Sequence, residues 1–420
     1  MKPFILPPRF SRAGHLVALL LVLFAPAAEA LTQQISASFR PDSANPQNNR
    51  FTNTTPVSGY CEQHPTACRD NNIFSIRLPL RFDSVRALQP DADARNSAMF
   101  KLPTEWRLLS VTNTETGETE QVEVRIAGFG SDQLLSHSTV DLTGAPDIRQ
   151  GHDQLWHGSG WLFAAPPCQY SGLVTYTSRT YSFFWKTPSE GTCVKVARFV
   201  VPAMSYQYLD FAYELRTPNP LGMSSGVYNG QLSYRIGPGG DFDMGDVMLP
   251  SDSTLTLDFA LDVQHTLKVE VPPGGDQVQL VPAGGWQSWL QAGRRPVSLF
   301  RDQIFNISAS SRFKMQLECE TPGIVTDCVL RSRTTDGMVE LHVFLSLPNG
   351  LTDLSGQPVK RRRLRTGAAN AQYFQPGFYV DRAPGTLHFE IPAYAMEFLL
   401  LPGLGGAYSG RVTVIWDSDV

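Results

Sequence analysis

The chain has 420 residues, a formal net charge of −4 and six cysteines. A single compact core seldom extends over a chain of this length, so the sequence predicts two domains. The 35 basic and 39 acidic residues provide no cationic surface of the kind that nucleic-acid binding requires, which argues against that class of partner.

The first 30 residues have the pattern of a secretory signal peptide. Arg9 and Arg12 precede the apolar run HLVALLLVLFAPA, and small residues stand at Ala28 and Ala30, where a signal peptidase reads the chain. The apolar run is too short to be a stable membrane span. We therefore expect residues 1–30 to be removed and residues 31–420 to be exported.

Apolar and polar residues alternate along much of the remaining chain, which is the pattern of half-buried β-strands. In chain order, the clearest runs lie at 74–82, 255–263, 267–271, 313–317, 339–347, 387–391 and 412–416. Clusters of Gly, Pro, Asn and Asp separate them, and no long segment has the period of an amphipathic helix. The sequence predicts an all-β fold of two β-sandwich domains.

The segment VPPGGDQ at 271–277 is the predicted linker, because two prolines and two glycines end a long alternating run there. The cut gives an N-terminal domain of 31–272 and a C-terminal domain of 277–420. A boundary near 217–222 is the alternative.

The cysteines fall into three pairs that are close in sequence. An even number of cysteines in an exported chain indicates disulfides, and pairing of neighbours is the simplest connectivity. The predicted pairs, each within one domain, are Cys61/Cys68, Cys168/Cys193 and Cys319/Cys328. No cysteine or histidine cluster has the spacing of a zinc site, so we predict no metal and no cofactor.

Two stretches of the C-terminal domain resemble a known family. They are VELHVFLSLPNGLTDLSGQ at 339–357 and GAYSGRVTVIW at 406–416, the second with the Tyr–x–Gly–x–Val–x–Val form of a pilin's last strand. Residues 277–420 resemble the pilin domain of a chaperone–usher fimbrial tip adhesin, in particular the alternate (class-five, CblD-like) initiator subunits of enterobacterial colonisation fimbriae. The likeness extends upstream to about residue 195 as pattern rather than identity.

The resemblance implies that the C-terminal domain is an incomplete immunoglobulin-like pilin sandwich, completed by donor-strand complementation. The implied partners are a periplasmic chaperone, an outer-membrane usher and a major pilin subunit that donates its N-terminal strand. An unpaired strand exposes edge hydrogen bonds and apolar side chains, and β-strand addition satisfies both. The residues expected to face this exchange are Tyr408, Gly410, Val412, Val414 and Trp416.

The implied function is that of a tip adhesin at the end of a fimbria on the cell surface. Such a subunit attaches the bacterium to a host or surface receptor, for example a glycan, and can initiate pilus assembly. Leu31–Phe39 leads into a domain of its own, so we expect the subunit to accept a strand and not to give one. The alternatives are a minor tip or initiator pilin without receptor binding, and an exported carbohydrate-active enzyme with β-sandwich domains. The sequence shows no convergent acid/base pair, so we predict that the protein is not an enzyme.

Candidate receptor-binding residues are aromatic or basic residues in loop-like stretches, because aromatic rings stack on sugars and polar groups bind their hydroxyls. GHDQLWHGSGWLF at 151–163 contains Trp156 and Trp161, for which a core position is the alternative. YTSRTYSFFWK contains Arg179, on what is otherwise an ordinary strand pair, and SYRIGPGG contains Arg235.

Three further motifs have a structural interpretation beside a functional one. Gly222–Gly226 matches G-x-S-x-G, but a strand pattern follows where a nucleophile elbow needs a helix. Asp241, Asp243 and Asp246 form an acidic turn that lacks the glutamate of a calcium-binding EF-hand loop, so a solvated turn is favoured. KRRRLR at 360–365 is interpreted as a solvated loop, with a chaperone, usher or anionic glycan contact as the alternative.

Overall fold

A computed structural model describes residues 31–71, 73–172, 174–293, 295–323 and 326–418. The predicted signal peptide lies outside the described residues. Strands dominate both halves of the chain, which confirms the predicted all-β fold. Of the helices in the described ranges, none has both the length and the apolarity to cross a bilayer.

The N-terminal half contains the first sixteen described strands and four short helices. The strands are β1 (Leu31–Phe39), β2 (Thr52–Asn53), β3 (Phe74–Leu78), β4 (Phe82–Ser84), β5 (Ala98–Lys101), β6 (Arg107–Asn113), β7 (Thr119–Leu135), β8 (Gln169–Tyr170), β9 (Thr175–Tyr176), β10 (Thr180–Lys186), β11 (Thr192–Lys195), β12 (Met204–Tyr206), β13 (Leu209–Arg216), β14 (Gly226–Arg235), β15 (Met248–Pro250) and β16 (Thr254–Val263). The helices are α1 (Tyr60–Gln63), α2 (Pro65–Asn71), α3 (Thr139–Thr143) and α4 (Ile148–Leu155).

The C-terminal half contains the remaining strands and two helices. They are β17 (Leu267–Glu270), α5 (Gly285–Ala292), β18 (Leu299–Ala309), β19 (Phe313–Cys319), β20 (Cys328–Ser332), β21 (Met338–Ser346), β22 (Leu351–Asp353), β23 (Arg362–Leu364), β24 (Gln372–Pro376), β25 (Val380–Ile391), α6 (Ala393–Leu399), β26 (Tyr408–Ser409) and β27 (Val412–Ser418).

A curled sheet built around β7 and β16 encloses the N-terminal core. β16 pairs antiparallel with β14 on one side and parallel with β1 on the other, from Leu31↔Leu255 to Phe39↔Val263. Alternate residues of β16 are fully buried, as their period of two predicts. Leu31–Phe39 is therefore built into the sheet of its own domain.

Aromatic rings fill the centre of this core. Trp161 and Trp185 are fully buried and stacked, with ring centroids 5.4 Å apart. The Trp185 Nε1–H donates to the Trp161 carbonyl oxygen at 2.8 Å, and Phe100 packs edge-on against both rings. Large interlocking rings of this kind contribute much of the buried apolar area of a domain.

The C-terminal half forms two facing sheets around a second core. One sheet has the order β17-β18-β25-β21-β20-β26, with β23 also paired to β21. The other has the order β22-β24-β19-β27. The inward residues of β19, Phe313, Met315 and Leu317, are almost fully buried, as expected for a sandwich interior.

Strand pairing passes from the first core to the second at 264–266, before the predicted linker. The Gln264 N–H donates to the Phe39 carbonyl oxygen at 3.0 Å, whereas the Thr266 N–H donates to Ser310 Oγ at 2.9 Å. β17 then pairs with β18, and Val281 pairs with Phe300 after the 271–277 loop. The boundary at 271–277 stays a prediction as a division into folding units, but the pairing places β17 in the C-terminal sandwich.

The three predicted disulfides are present, each between sequence neighbours and each within one half of the chain. They are Cys61–Cys68, Cys168–Cys193 and Cys319–Cys328.

We expect Trp161→Ala to lower the free energy of unfolding by about 3–5 kcal/mol, because it removes a fully buried ring from a packed aromatic core. Phe163→Ala is the matched control, since Phe163 is half exposed two residues away. Chemical denaturation followed by circular dichroism measures both. Equal stability losses in the two variants would contradict the assigned core.

Candidate functional site

The segment that closes the C-terminal sandwich belongs to both of its sheets. Tyr408 and Ser409 pair with β20, and the next strand, β27, lies in the opposite sheet. Gly410 stands at the crossing, where an added Cβ would lie 3.1 Å from Leu330 Cδ2. Of the residues predicted to face strand exchange, Tyr408 and Gly410 thus lie against β20, and the other three lie on β27.

One edge of β27 has no partner strand among the described residues. β27 pairs with β19 from Cys319↔Val412 to Phe313↔Ser418. The Glu320 N–H donates to the Arg411 carbonyl oxygen at 3.0 Å, which fixes the alternation of the antiparallel ladder. The N–H and C=O groups of Val412, Val414 and Trp416 therefore point away from β19, toward the open edge.

The side chains of Val412, Val414 and Trp416 face the second core but remain only partly buried. Their inward counterparts on β19 are almost fully buried, so the packing is incomplete beside β27. The Trp416 ring contacts the floor of this gap, with its centroid 4.9 Å from that of Phe305.

Residues before β18 form the other side of the gap. Leu267, Val269, Val278 and Leu280 pack on the same core and are also partly buried. We call the depression between these residues and β27 the acceptor groove. β17 and β27 approach within 8 Å at Cα, and their pairing partners place this approach at the end next to the N-terminal half. The groove is therefore narrowest there.

The two tryptophans proposed as receptor contacts lie in the N-terminal core, so that prediction is wrong. Trp156 is 1% exposed and Trp161 is 0% exposed, and their ring centroids are 5.3 Å apart. The glycine-rich loop between them wraps around a buried ammonium group, with Lys195 Nζ donating to the carbonyl oxygens of Ser159 at 3.0 Å and Gly160 at 3.1 Å. The loop serves packing, and its rings cannot stack on a ligand.

The two basic candidates lie at the ends of different strands. Arg179 precedes β10, and its Nε–H donates to the Leu135 carbonyl oxygen at 2.9 Å. Arg235 ends β14 with an exposed side chain, and its backbone N–H donates to Asp241 Oδ2 at 2.7 Å. The structure thus gives the four predicted receptor residues no common surface.

The acidic turn is neutralised by arginines from distant segments. Arg95 donates to Asp243 at 3.0 Å and to Asp246 at 2.6 Å, and Arg107 forms an ion pair with Asp241. These guanidinium groups stand where a calcium ion would have to bind. The solvated-turn interpretation also needs correction for Asp243, whose carboxylate is buried.

Arginines of the KRRRLR run also form ion pairs with acidic residues of the same sandwich. Arg361 pairs with Glu390 at 2.8 Å and Arg362 with Asp353 at 2.7 Å. Arg362–Leu364 form β23 rather than a loop. Because Arg361 and Arg362 are paired with carboxylates of the same sandwich, these two residues provide little attraction for an anionic ligand.

A buried polar cluster on the same sheet was missed by the sequence reasoning. Asp327, Glu340 and His342 place possible metal-ligating atoms within 4.8 Å of one another. Arg363 donates to Asp327 at 2.8 Å and to Glu340 at 3.3 Å, and the Tyr394 hydroxyl donates to Glu340 at 2.7 Å. The guanidinium group already compensates the carboxylates, so we interpret this cluster as an ion-pair network. The residues that form it are too far apart in sequence to predict it.

Two features bear on enzymatic chemistry. β14 begins at Gly226, so the G-x-S-x-G motif leads into a strand and not into the helix of a nucleophile elbow. His388 bridges Asp302 at 2.7 Å and Ser346 Oγ at 2.8 Å, in the order of a catalytic triad. Ser346 is the last residue of strand β21, and its Oγ accepts the Arg361 N–H at 2.9 Å. We interpret this chain of bonds as a tie across three adjacent strands.

Comparison with known proteins gives similarity to solved structures alone, since no family model and no curated protein matches the chain. A chaperone–tip adhesin complex of CFA/I fimbriae biogenesis is 12% identical and aligns over 93% of this chain and 97% of that one, with a TM-score of 0.25. CfaE, the adhesive subunit of the CFA/I fimbria of enterotoxigenic Escherichia coli, is 11% identical over 93% of each chain, with a TM-score of 0.27. The CsuC–CsuE chaperone–tip adhesion subunit pre-assembly complex of Acinetobacter baumannii is 10% identical over 92% and 98%, with a TM-score of 0.21.

These three solved structures contain adhesive or tip subunits of fimbriae and pili. The feature of this chain that bears on function is the acceptor groove itself.

Burial lowers the pKa of the Lys195 ammonium group to about 8, whereas the pKa of a lysine in an unfolded chain is about 10.4. Between these values the unfolded chain binds more protons, so this residue makes the free energy of unfolding rise with pH. From pH ~8 to pH ~10 we expect the wild type to gain about 2 kcal/mol relative to Lys195→Met. Denaturation across this range measures the difference, and parallel profiles would show that Lys195 titrates normally.

Proposed function

We propose that the protein is the tip subunit of a chaperone–usher fimbria and that its C-terminal sandwich accepts a β-strand from another subunit. The observation that carries the proposal is the open edge of β27 beside the acceptor groove. There, outward-pointing backbone groups and half-buried apolar side chains belong to the same three residues, Val412, Val414 and Trp416. An exposed edge of this kind is a template for strand addition.

An extended segment with alternating apolar residues fits both requirements. Its backbone pairs with β27, and every second side chain enters the groove and covers the core. Seating it along the full length of β27 requires β17 to move aside, because the two strands approach each other at one end. This short strand pairs with β18 over four residues, so few ladder bonds oppose the movement.

The proposed order of partners follows from the free-energy cost of leaving the unpaired backbone groups and apolar side chains of the groove exposed to water. A periplasmic chaperone strand covers it after export, and the N-terminal strand of a major pilin replaces the chaperone strand at the outer-membrane usher. Leu31–Phe39 pairs along its length with β16 and is not free to serve as such a donor. This supports a position at the tip, where a subunit accepts a strand and gives none.

The proposed role of the N-terminal half is recognition of a receptor, with a glycan as the favoured class. Phe163, Tyr170 and Tyr176 are large aromatic residues that are exposed, and they lie close in sequence to the Cys168–Cys193 disulfide. Exposed rings on a braced segment can stack on sugar faces. They replace Trp156 and Trp161 as candidates.

We expect Val414→Asp to abolish strand acceptance, since it places a charge in an apolar groove. Thr413→Asp is the matched control, because the neighbouring side chain points outward and is exposed. Co-expression with a chaperone of the same fimbrial system and co-purification of the complex measures acceptance. Equal recovery of both variants would remove β27 from the exchange.

A second comparison tests the incomplete sandwich itself. We expect the mature chain to be protected against proteolysis through residue 418 when a chaperone or a fused donor strand is present, and to be cleaved near β27 when neither is present. Full protection of the isolated monomer would overturn the proposal.

We expect Tyr170→Ala combined with Tyr176→Ala to reduce binding on a glycan array at least ~10-fold, corresponding to about 1.4 kcal/mol, with unchanged thermal stability. Val227→Ala, an exposed apolar substitution elsewhere in the N-terminal half, is the control. A donor-completed wild type that binds no glycan would favour the minor tip or initiator pilin without receptor binding. Glycan turnover would favour the enzyme.

A further inference from the structure

The C-terminal sandwich exposes large apolar side chains at the end remote from the N-terminal half. Leu290 is 69% exposed and Val297 is 73% exposed. Six such residues, which we call the basal apolar surface, are Trp286, Leu290, Val297, Tyr394, Phe398 and Leu401. Exposed apolar residues in such numbers at one place mark an interaction site more often than chance exposure does.

Strand pairing places all six residues at one end of the sandwich. Leu299 pairs with Ile391, so the segment that enters β18 and the segment that leaves β25 meet there. The first contains α5 and the second contains α6. Tyr394 donates to Glu340 near the start of β21, which lies at the same end.

The opposite end of the sandwich is occupied by the N-terminal half. The Tyr379 N–H donates to the Pro46 carbonyl oxygen at 3.1 Å, and His265 Nδ1 lies 3.1 Å from Ser310 Oγ. Ser310 follows directly after β18, and Tyr379 directly precedes β25. The two ends of the acceptor groove therefore differ, because one faces the protein's own first half and the other lies at the end of the sandwich that carries α5 and α6.

Four of the six residues of the basal apolar surface lie in uncharged segments, whereas Arg295 lies two residues before Val297 and Glu397 lies on α6 with Tyr394. Residues 277–293 and 398–410 contain no Asp, Glu, Lys or Arg. At these four residues a partner is selected by apolar contact and shape.

We infer that the basal apolar surface docks the folded body of the subunit whose strand fills the acceptor groove. This inference rests on the proposed function. A donated strand continues into the rest of its own subunit, and that body must lie beyond one end of the groove. Since the end near Ser310 is occupied, the donor body lies at the end where β27 begins, against α5 and α6. Strand and body then form one continuous interface, in which the body adds affinity without a further loss of translational freedom.

The test uses the full chain in the bacterium that exports it, with a benzophenone amino acid incorporated at one position at a time. The positions are Val414 in the acceptor groove, Leu290 on the basal apolar surface, and Leu354 as an exposed apolar control elsewhere in the sandwich. After irradiation of assembled fimbriae, mass spectrometry identifies the cross-linked peptides. We expect the Val414 adduct to map to the N-terminal extension of a pilin, the Leu290 adduct to map to the folded part of that same pilin, and Leu354 to give at least ~10-fold less of it.

The outcomes separate the two proposals. A Val414 adduct on a pilin extension without a Leu290 adduct on the same pilin would overturn the docking inference and leave the acceptor groove standing. No strand adduct at Val414 would overturn the proposed function. A Leu290 adduct on a second copy of this chain, or sedimentation of the purified chain with phosphatidylethanolamine–phosphatidylglycerol vesicles that Leu290→Asp abolishes, would assign the surface to self-association or to a membrane instead.

Discussion

A β-strand has two hydrogen-bonding edges, and in the described structure β27 uses one of them. The other edge presents the backbone of Val412, Val414 and Trp416, while the side chains of these residues leave the core beside them only partly covered. Small side-chain adjustments can neither pair these backbone groups nor cover this part of the core, because both require backbone from another segment. Under the proposed function, an external strand supplies what a closed sandwich supplies from its own chain.

The N-terminal half shows the opposite arrangement. β16 is paired on both sides, and one of its partners is β1, the segment closest to the predicted cleavage site. Its core is filled by large rings, and its buried Asp243 carboxylate is paired with Arg95. One chain thus combines a self-sufficient half with an incomplete half, and the contacts at His265 and Tyr379 join the two. Under the proposed function, the self-sufficient half is the one that recognises a receptor and the incomplete half is the one that joins a fibre.

The local pattern of the sequence was enough to predict several strands, since the period-two runs at 255–263, 313–317 and 412–416 correspond to β16, β19 and β27, but it missed others such as β7. The local pattern did not predict which distant segments pair with each other. The sequence around Asp243 does not indicate that Arg95 neutralises its carboxylate. The sequence of Leu31–Phe39 does not indicate that its parallel partner strand lies more than two hundred residues away. The prediction that Trp156 and Trp161 contact a receptor was wrong for a related reason. An aromatic residue in a glycine-rich stretch gives the same sequence pattern in a core as on a binding surface. The open edge was predictable through family resemblance, whereas the groove opposite β27 required the structure, because the sequence alone suggested a linker at 271–277.

The crossing at Gly410 has a mechanical consequence. The segment that starts in one sheet as β26 continues in the other as β27, and β27 is held to β19 by a ladder that extends from Cys319↔Val412 to Phe313↔Ser418. Tension on a strand seated beside β27 would act parallel to this ladder. The hydrogen bonds would then be loaded in shear, and all of them would share the load at the same time. From β19 the load passes through the turn at Ser310 to the N-terminal half. The fold can thus carry a pulling force from its base to its tip without peeling any strand from an end.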